Sequence, residues 1–256
     1  GALLALNKPP GLPILGRPGD LSLDALLPAL RRRLGLAAEL HVVKAPAREY
    51  SGLVLLSSCY HTTKKIQQFF TNARCRGQYP ASYRAITVGV PAEVEGEICT
   101  GLCWQQQGDR AMVRGCRQAG GTGDTPETAE GCALQVVPVP APGRRSLARK
   151  DVKSTLTRYR VLGAMGGCAL LQLQPRTAFP EQLQVHLTLL LCPALGDHEH
   201  SSQVGRVLGV PFLLTPETAP TRTQVLDEEL LSRLGLSPRQ LHHLPLHIHL
   251  QELVLP

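Results

Sequence analysis

The side chains of this 256-residue sequence with the most obvious chemical capacity surround one short polar loop, Lys44-Ala45-Pro46-Ala47-Arg48-Glu49-Tyr50. Glu49 is the loop's only carboxylate. Such a group acts as a nucleophile or base when a rigid site holds it within about 1 Å of the productive position. As a solvated residue it would instead pair with Arg48 or Lys44, and an exposed pair of that kind contributes little. Ser51-Gly52 follows, without the G-x-S-x-G elbow that presents a hydrolase serine. Cations recur on both sides of the loop: Lys8, Lys44, Arg48, Lys64, Lys65, Arg74, Arg76, Arg84, Arg145 and Lys153. They are of the type that contacts phosphates, giving salt-dependent affinity with little sequence choice. Tyr83 offers a ring on which a base can pack, or a strand tyrosine whose hydroxyl is satisfied in the core.

Other candidates are weaker. His242, His243, His247 and His249 cluster near the C-terminus, and His247 and His249 share one face if the segment is a strand. Two histidines without a third ligand nearby favour a structural strand over a metal site, so no metal is expected. The eight cysteines lack paired C-x-x-C spacing, and a chain of this length needs no disulfide staple; they are read as reduced thiols. A formal charge of +7 and a pI near 9.1 fit either a solvated basic surface or an electrostatic footprint for a phosphate backbone. Apolar content is ordinary at 43%, and no run reaches membrane-spanning length.

The elements that must position these groups follow from pattern. Leu53 to Leu56, directly after a glycine, reads as a buried strand, and a loop at the end of such a strand is held rigidly. Leu3 to Leu6 reads as a strand ending in the turn Asn7-Lys8-Pro9-Pro10-Gly11. Ser22 caps a helix through Leu34, with Pro28 a possible kink and Gly35 a stop. Arg31-Arg32-Arg33 suit the negative end of that helix's dipole, with one of the three still free to reach a phosphate. Leu40 to Val43 is a short strand, Thr62 to Asn72 a helix with Ile66, Phe69 and Phe70 on one face, and Tyr83 to Val90 a strand. Gly96 to Trp104, Arg110 to Val113 and Val136 to Gly143 read as short or edge strands. Residues 117–131, rich in Gly and Thr, read as a mobile surface loop. Thr155 to Leu162 and Ala169 to Leu173 form a hairpin, a helix begins near Pro180-Glu181, and Gln224 to Leu234 is amphipathic. Ser202 to Leu214 is left open between helix and strand. No internal repeat is present, and residues 1–256 are expected to form one domain.

Taken in order, these stretches resemble the RluA-type pseudouridine synthase family. Asn7-Lys8-Pro9 opens with its N-K-P-x-G. Ser51-Gly52-Leu53-Val54-Leu55-Leu56 falls on the S-G-L-L-L-L of H-R-L-D-x-x-T-S-G-L-L-L-L-A. Tyr83, Ala85 and Gly89 match K-x-Y-x-A-x-V-x-G. Thr177, Gln182, Leu183, Val185 and His186 fall on T-G-R-T-H-Q-I-R-V-H. Gly196-Asp197 matches a following G-D, and Leu241-His242 with Leu246 resembles the closing strand. The resemblance implies an α+β pseudouridine synthase fold: a mixed, mainly antiparallel sheet, flanking helices and a central RNA cleft. It implies no cofactor and no metal, with Tyr83 packing on uracil. It also places Ala47 where the family carries its nucleophilic aspartate. Phe179 and Gln184 stand in the places of two arginines, Ala178 in that of a glycine, and Glu181 in that of a histidine. The expectation is a mitochondrial matrix RNA-binding protein that retains the cleft and lacks isomerase activity. Its RNA would be mitochondrial mRNA or large-subunit ribosomal RNA, and other RNA-processing or ribosome-assembly proteins would be its partners. The alternative is an active isomerase using Glu49.

Overall fold

The structure, a computed structural model, describes residues 3–17, 19–107, 133–139, 152–215 and 223–256. In chain order its elements are β1 (Leu3–Lys8), α1 (Leu23–Arg33), β2 (His41–Lys44), β3 (Ser51–Ser57), α2 (Tyr60–Cys75), β4 (Ala81–Val88), β5 (Glu95–Gln107) and β6 (Ala133–Val139). There follow β7 (Lys153–Met165), β8 (Cys168–Pro175), α3 (Gln182–Leu189), a 3-10 turn (Ser201–Gln203), β9 (Val204–Val207), β10 (Val210–Leu213), α4 (Glu228–Leu234), α5 (Pro238–Leu241) and β11 (Ile248–Leu253). The expected loop at 117–131, the strand at Arg110 to Val113 and Arg145 lie outside the described residues.

Among the described residues a nine-stranded sheet organises the fold, in the order β1-β3-β11-β4-β8-β7-β5-β6, with β2 also on β3. Among the described residues its strand pairings are antiparallel except that of β3 with β11. The architecture is thus the expected mixed, mainly antiparallel α+β sheet. The apolar run after the polar loop is its strand β3, whose Val54, Leu55 and Leu56 are buried. At the start of β3, Gly52 has φ +123°, and a Cβ there would lie 2.8 Å from Leu250 Cα and closer still to its N and O. Only glycine lets β11 come this near, which is the physical reason for a glycine after Ser51.

Ser22 caps α1 as expected: its Oγ accepts from Ala25 N at 3.3 Å, and Arg31, Arg32 and Arg33 fill the last turn. Pro28 sits within the helix rather than ending it. Leu23 and Leu27 pack on Val54 and Leu56, while Ile66 and Phe70 of α2 pack on Val43 and Leu55. The α2 helix extends beyond the predicted segment at both ends. Helix α3 is buried over Gln182 to Thr188, so its apolar residues are not confined to one stripe. The ambiguous 202–214 segment resolves into the 3-10 turn and the β9–β10 hairpin, and β6 lies at one end of the sheet order among the described residues. The main core gathers Tyr50, Tyr83, Leu171, Leu173, Leu187, Ile248 and Leu250.

Cys59, Cys75, Cys99, Cys168 and Cys192 are free thiols. Among the described residues no group of three or more His, Cys, Asp or Glu could hold a metal, and no helix is long and apolar enough to cross a membrane. His249 instead bonds Ser51 Oγ through Nδ1 at 2.9 Å, and His247 Nδ1 lies 3.3 Å from Leu195 O.

Candidate functional site

The polar loop, the start of β4 and the segment before α3 meet around a cavity of about 190 Å³. Ala47, Tyr83 and Phe179 all line it. The tertiary fold therefore brings together three positions that the resemblance marks, from segments far apart in sequence. Tyr83 is 8% exposed, and its ring meets Tyr50 edge-on with centroids 6.1 Å apart. Burial pushes the Tyr83 hydroxyl up to about 12 and that of Tyr50 well above its ordinary value. Both phenols are neutral at physiological pH, so neither brings charge to the cavity.

Lys44 and Arg74 give the cavity a positive rim. Burial, with Arg74 nearby, lowers the Lys44 pKa. No carboxylate stands within salt-bridge distance of either among the described residues. A partly buried ammonium without an acid partner is disfavoured in isolation and is relieved by an incoming anion.

The places where the resemblance puts two arginines are filled by neutral chemistry. Phe179 packs on Leu102, Val136 and Val185, with its ring 6.1 Å from that of Trp104. Gln184 is buried; its Oε1 accepts from the Tyr50 hydroxyl at 3.3 Å, and its Nε2 donates to Asp197 Oδ1 at 3.3 Å. Asp197 Oδ1 also accepts the backbone N–H groups of Glu199 and His200. The buried carboxylate that Gln184 reaches is thus Asp197, held by two peptide donors, and nothing charged extends from α3 toward Ala47.

The other predicted contacts scatter. Lys8 is a correction. Rather than an open phosphate contact, it is 3% exposed, and its Nζ donates to the carbonyls of Pro9, Leu12 and Arg48 at 2.9–3.0 Å. All three of its protons are spent fastening the N-terminal turn to the polar loop. Arg48 is exposed and its Nε reaches Gly11 O at 3.4 Å, while Gly11 N donates back to Arg48 O at 2.8 Å. Arg84 follows Tyr83 along β4 and so points to the opposite face of the sheet, between His249 and Gln172. Lys64, Lys65 and Arg76 are exposed on or beside α2, with Lys64 Nζ 5.3 Å from the Tyr60 ring centre. Lys153 is exposed and donates to the carbonyl of Ala178, on the cavity wall, at 2.9 Å. Glu49 is exposed and is not among the residues lining the cavity.

Sequence reasoning passed over Glu181, the one carboxylate in the lining. Its position in the motif, where the family carries a histidine, was the available signal. The motif's last histidine, His186, is fully buried and bonds Thr155 Oγ1 through Nε2 at 2.9 Å. Thr155 already donates to Thr100 O, so His186 Nε2 carries the proton. Burial lowers the His186 pKa to about 4, so the ring is neutral at physiological pH.

Comparison with known proteins gives a consistent set of similarities. Residues 2–189 match the RNA pseudouridylate synthase family. The whole chain is 47% identical to the mouse mitochondrial mRNA pseudouridine synthase Rpusd3 and 48% identical to human RPUSD3, covering 68% and 66% of those proteins. It is 31% identical to the zebrafish pseudouridylate synthase RPUSD4, mitochondrial, over 99% of the chain and 64% of that protein. The chain spans about two thirds of the length of these relatives. Among solved structures, human RNA pseudouridylate synthase domain containing 4 superposes with a TM-score of 0.66 at 26% identity, over 97% of this chain and 78% of that one.

Proposed function

The chain belongs to the RNA pseudouridylate synthase family, within its RPUSD3 subgroup, and from that premise we propose that it binds mitochondrial RNA in the cavity beside Tyr83 without isomerising uridine. The RPUSD3 relatives are named for mRNA and for mitochondria, and we assign the same RNA class and the mitochondrial matrix. A role in mitochondrial translation follows, with large-subunit ribosomal RNA as the competing target and assembly proteins as partners.

One observation carries the loss of chemistry: the side chain at the nucleophile's place, on the cavity wall, is the methyl group of Ala47. Removing a covalent nucleophile typically slows an enzyme on the order of a million-fold. The neutral side chains at two of the marked places agree, because Phe179 and Gln184 could not pair with a carboxylate bidentately. What remains suits capture. Lys44 and Arg74 favour a phosphate at the rim, and an everted base would lie against Tyr83, flipping that costs a few kcal/mol.

The test is tritium release from 5-tritiated uridine in bound mitochondrial RNA, alongside crosslinking in mitochondria. The expected result is crosslinks near Lys44 and Tyr83 with no tritium released. Release by purified protein would overturn the non-isomerising reading. Release abolished by Glu49→Gln would establish the isomerase alternative through that residue. Crosslinks confined to ribosomal RNA would move the assignment from mRNA to that target.

A further inference from the structure

Glu181 stands just before α3 with φ 55° and ψ 11°, a left-handed conformation that a side-chain-bearing residue adopts only when its surroundings impose it. Its Oε2 accepts from Nε2 of His200 at 2.9 Å. Because a carboxylate only accepts, His200 carries the proton at that nitrogen. His200 is 2% exposed, and its backbone N–H is tied to Asp197 Oδ1 at 3.1 Å. Asp197 in turn holds Gln184, and Gln184 holds the Tyr50 hydroxyl. A continuous set of bonds thus fixes Glu181 relative to Tyr50 across the cavity. Burial alone would lower the His200 pKa, yet the bond to Glu181 and the nearby carboxylates raise it, which agrees with a firmly held pair. Oε1 of Glu181 has no partner among the described residues, and the residue lines the cavity.

We propose that Glu181 reads the base captured in this cavity, its free oxygen accepting the ring N3–H of an unpaired uracil. The proposal rests on the RNA-binding reading above and adds its specificity. A carboxylate in a site for a polyanion is repelled by phosphate, so its stabilising partner must be a neutral donor. Uracil offers a single N–H between two carbonyls. Cytosine presents a bare acceptor at the same ring position, which a carboxylate opposes. Guanine presents adjacent donors that suit a carboxylate with both oxygens free, and here His200 occupies one.

The test measures equilibrium binding of short single-stranded oligouridylate and oligocytidylate of equal length. Wild-type protein should favour oligouridylate by about tenfold, the scale of one hydrogen bond to a charged acceptor. Glu181→Gln should bring the two affinities together, because an amide can turn to accept or donate. Glu181→Gly should do the same while remaining folded, since glycine accepts the left-handed backbone and offsets part of the lost bond to His200. Equal wild-type binding of both oligomers, or a uridylate preference that survives in both variants, would overturn the inference while leaving RNA binding standing. A Glu181-dependent preference for ribo- over deoxyuridylate would overturn it too, by moving the contact to the ribose hydroxyl. Wild-type binding of neither oligomer would overturn the RNA-binding reading itself.

Discussion

The cavity has two walls, and they are built on different terms. On the loop side the backbone is fastened at every turn. Lys8 holds three carbonyls, Gly11 and Arg48 exchange bonds, and Gly52 admits Leu250 where no side chain would fit. On the α3 side the helix itself is buried, but side chains in and just before it differ in charge from those of the resembling motif: Phe179, Glu181 and Gln184 stand in the places of two arginines and a histidine. The contrast teaches that groups closing the backbone's hydrogen bonds and crossings are demanded by the fold. Groups that serve a reaction can be exchanged if their replacements find partners, as Gln184 does with Tyr50 and Asp197.

Substitutions can break this contrast or sharpen it. The largest effect should come from Gly52→Ala, which puts a methyl group into the Leu250 backbone at positive φ. A loss of about 3–5 kcal/mol in chemical denaturation is expected, and a loss under 1 kcal/mol would show that the strand crossing does not fix the loop. Acid should probe the α3 wall next. The folded His186 pKa of about 4 lies below the ordinary 6.5, so the unfolded chain binds a proton that the folded one refuses between those values. Stability should therefore fall as pH drops from about 6.5 to about 4, by on the order of 3 kcal/mol from this group. His186→Gln should remove that contribution. The raised pKa of His200 works in the other sense, stabilising at low pH and lost as pH rises through it, so the wild-type-minus-variant difference isolates His186.

Lys8→Met should cost about 2 kcal/mol by stranding buried carbonyls, with a matching fall in melting temperature. If instead it weakened RNA binding at unchanged stability, Lys8 would belong with the contact residues and the two-wall contrast would fail. Lys44→Ala should leave stability within about 1 kcal/mol, lower RNA affinity several-fold and reduce the salt-dependence slope by about one. Smallest of all is Ala47→Asp, which restores the family's acid on the loop. It should produce no detectable pseudouridine by tritium release, because Phe179 and Gln184 supply no cation to orient the carboxylate. Conversion by that variant would show that the loop alone carries the chemistry.

Much of this was legible in the residues. The strand after Gly52, the Ser22 cap, the β7–β8 hairpin and the amphipathic segment that contains α4 follow from period, capping and turn chemistry, which act over a few neighbouring residues. The 202–214 segment did not, because its short apolar runs satisfy helix and strand alike until the β9–β10 pairing chooses. Helix α3 concealed its role for a related reason: buried over its whole surface, it shows no stripe to mark which side faces the cavity.

By itself the sequence determined most of the order of elements, the methyl group at Ala47 and the neutral side chains of Phe179 and Gln184, since these are matters of local pattern and residue identity. The tertiary structure alone decided which lysine is free, that Glu49 faces solvent, and that Glu181 lines the cavity. Lys8 and Lys44 are the same residue type at either side of one loop, and only the folded chain sets three carbonyls around the first and leaves the second at the rim. The reason is physical: the bond that ties Lys8 to Arg48 spans 40 residues and the one that ties Tyr50 to Gln184 spans 134, and no short window contains either.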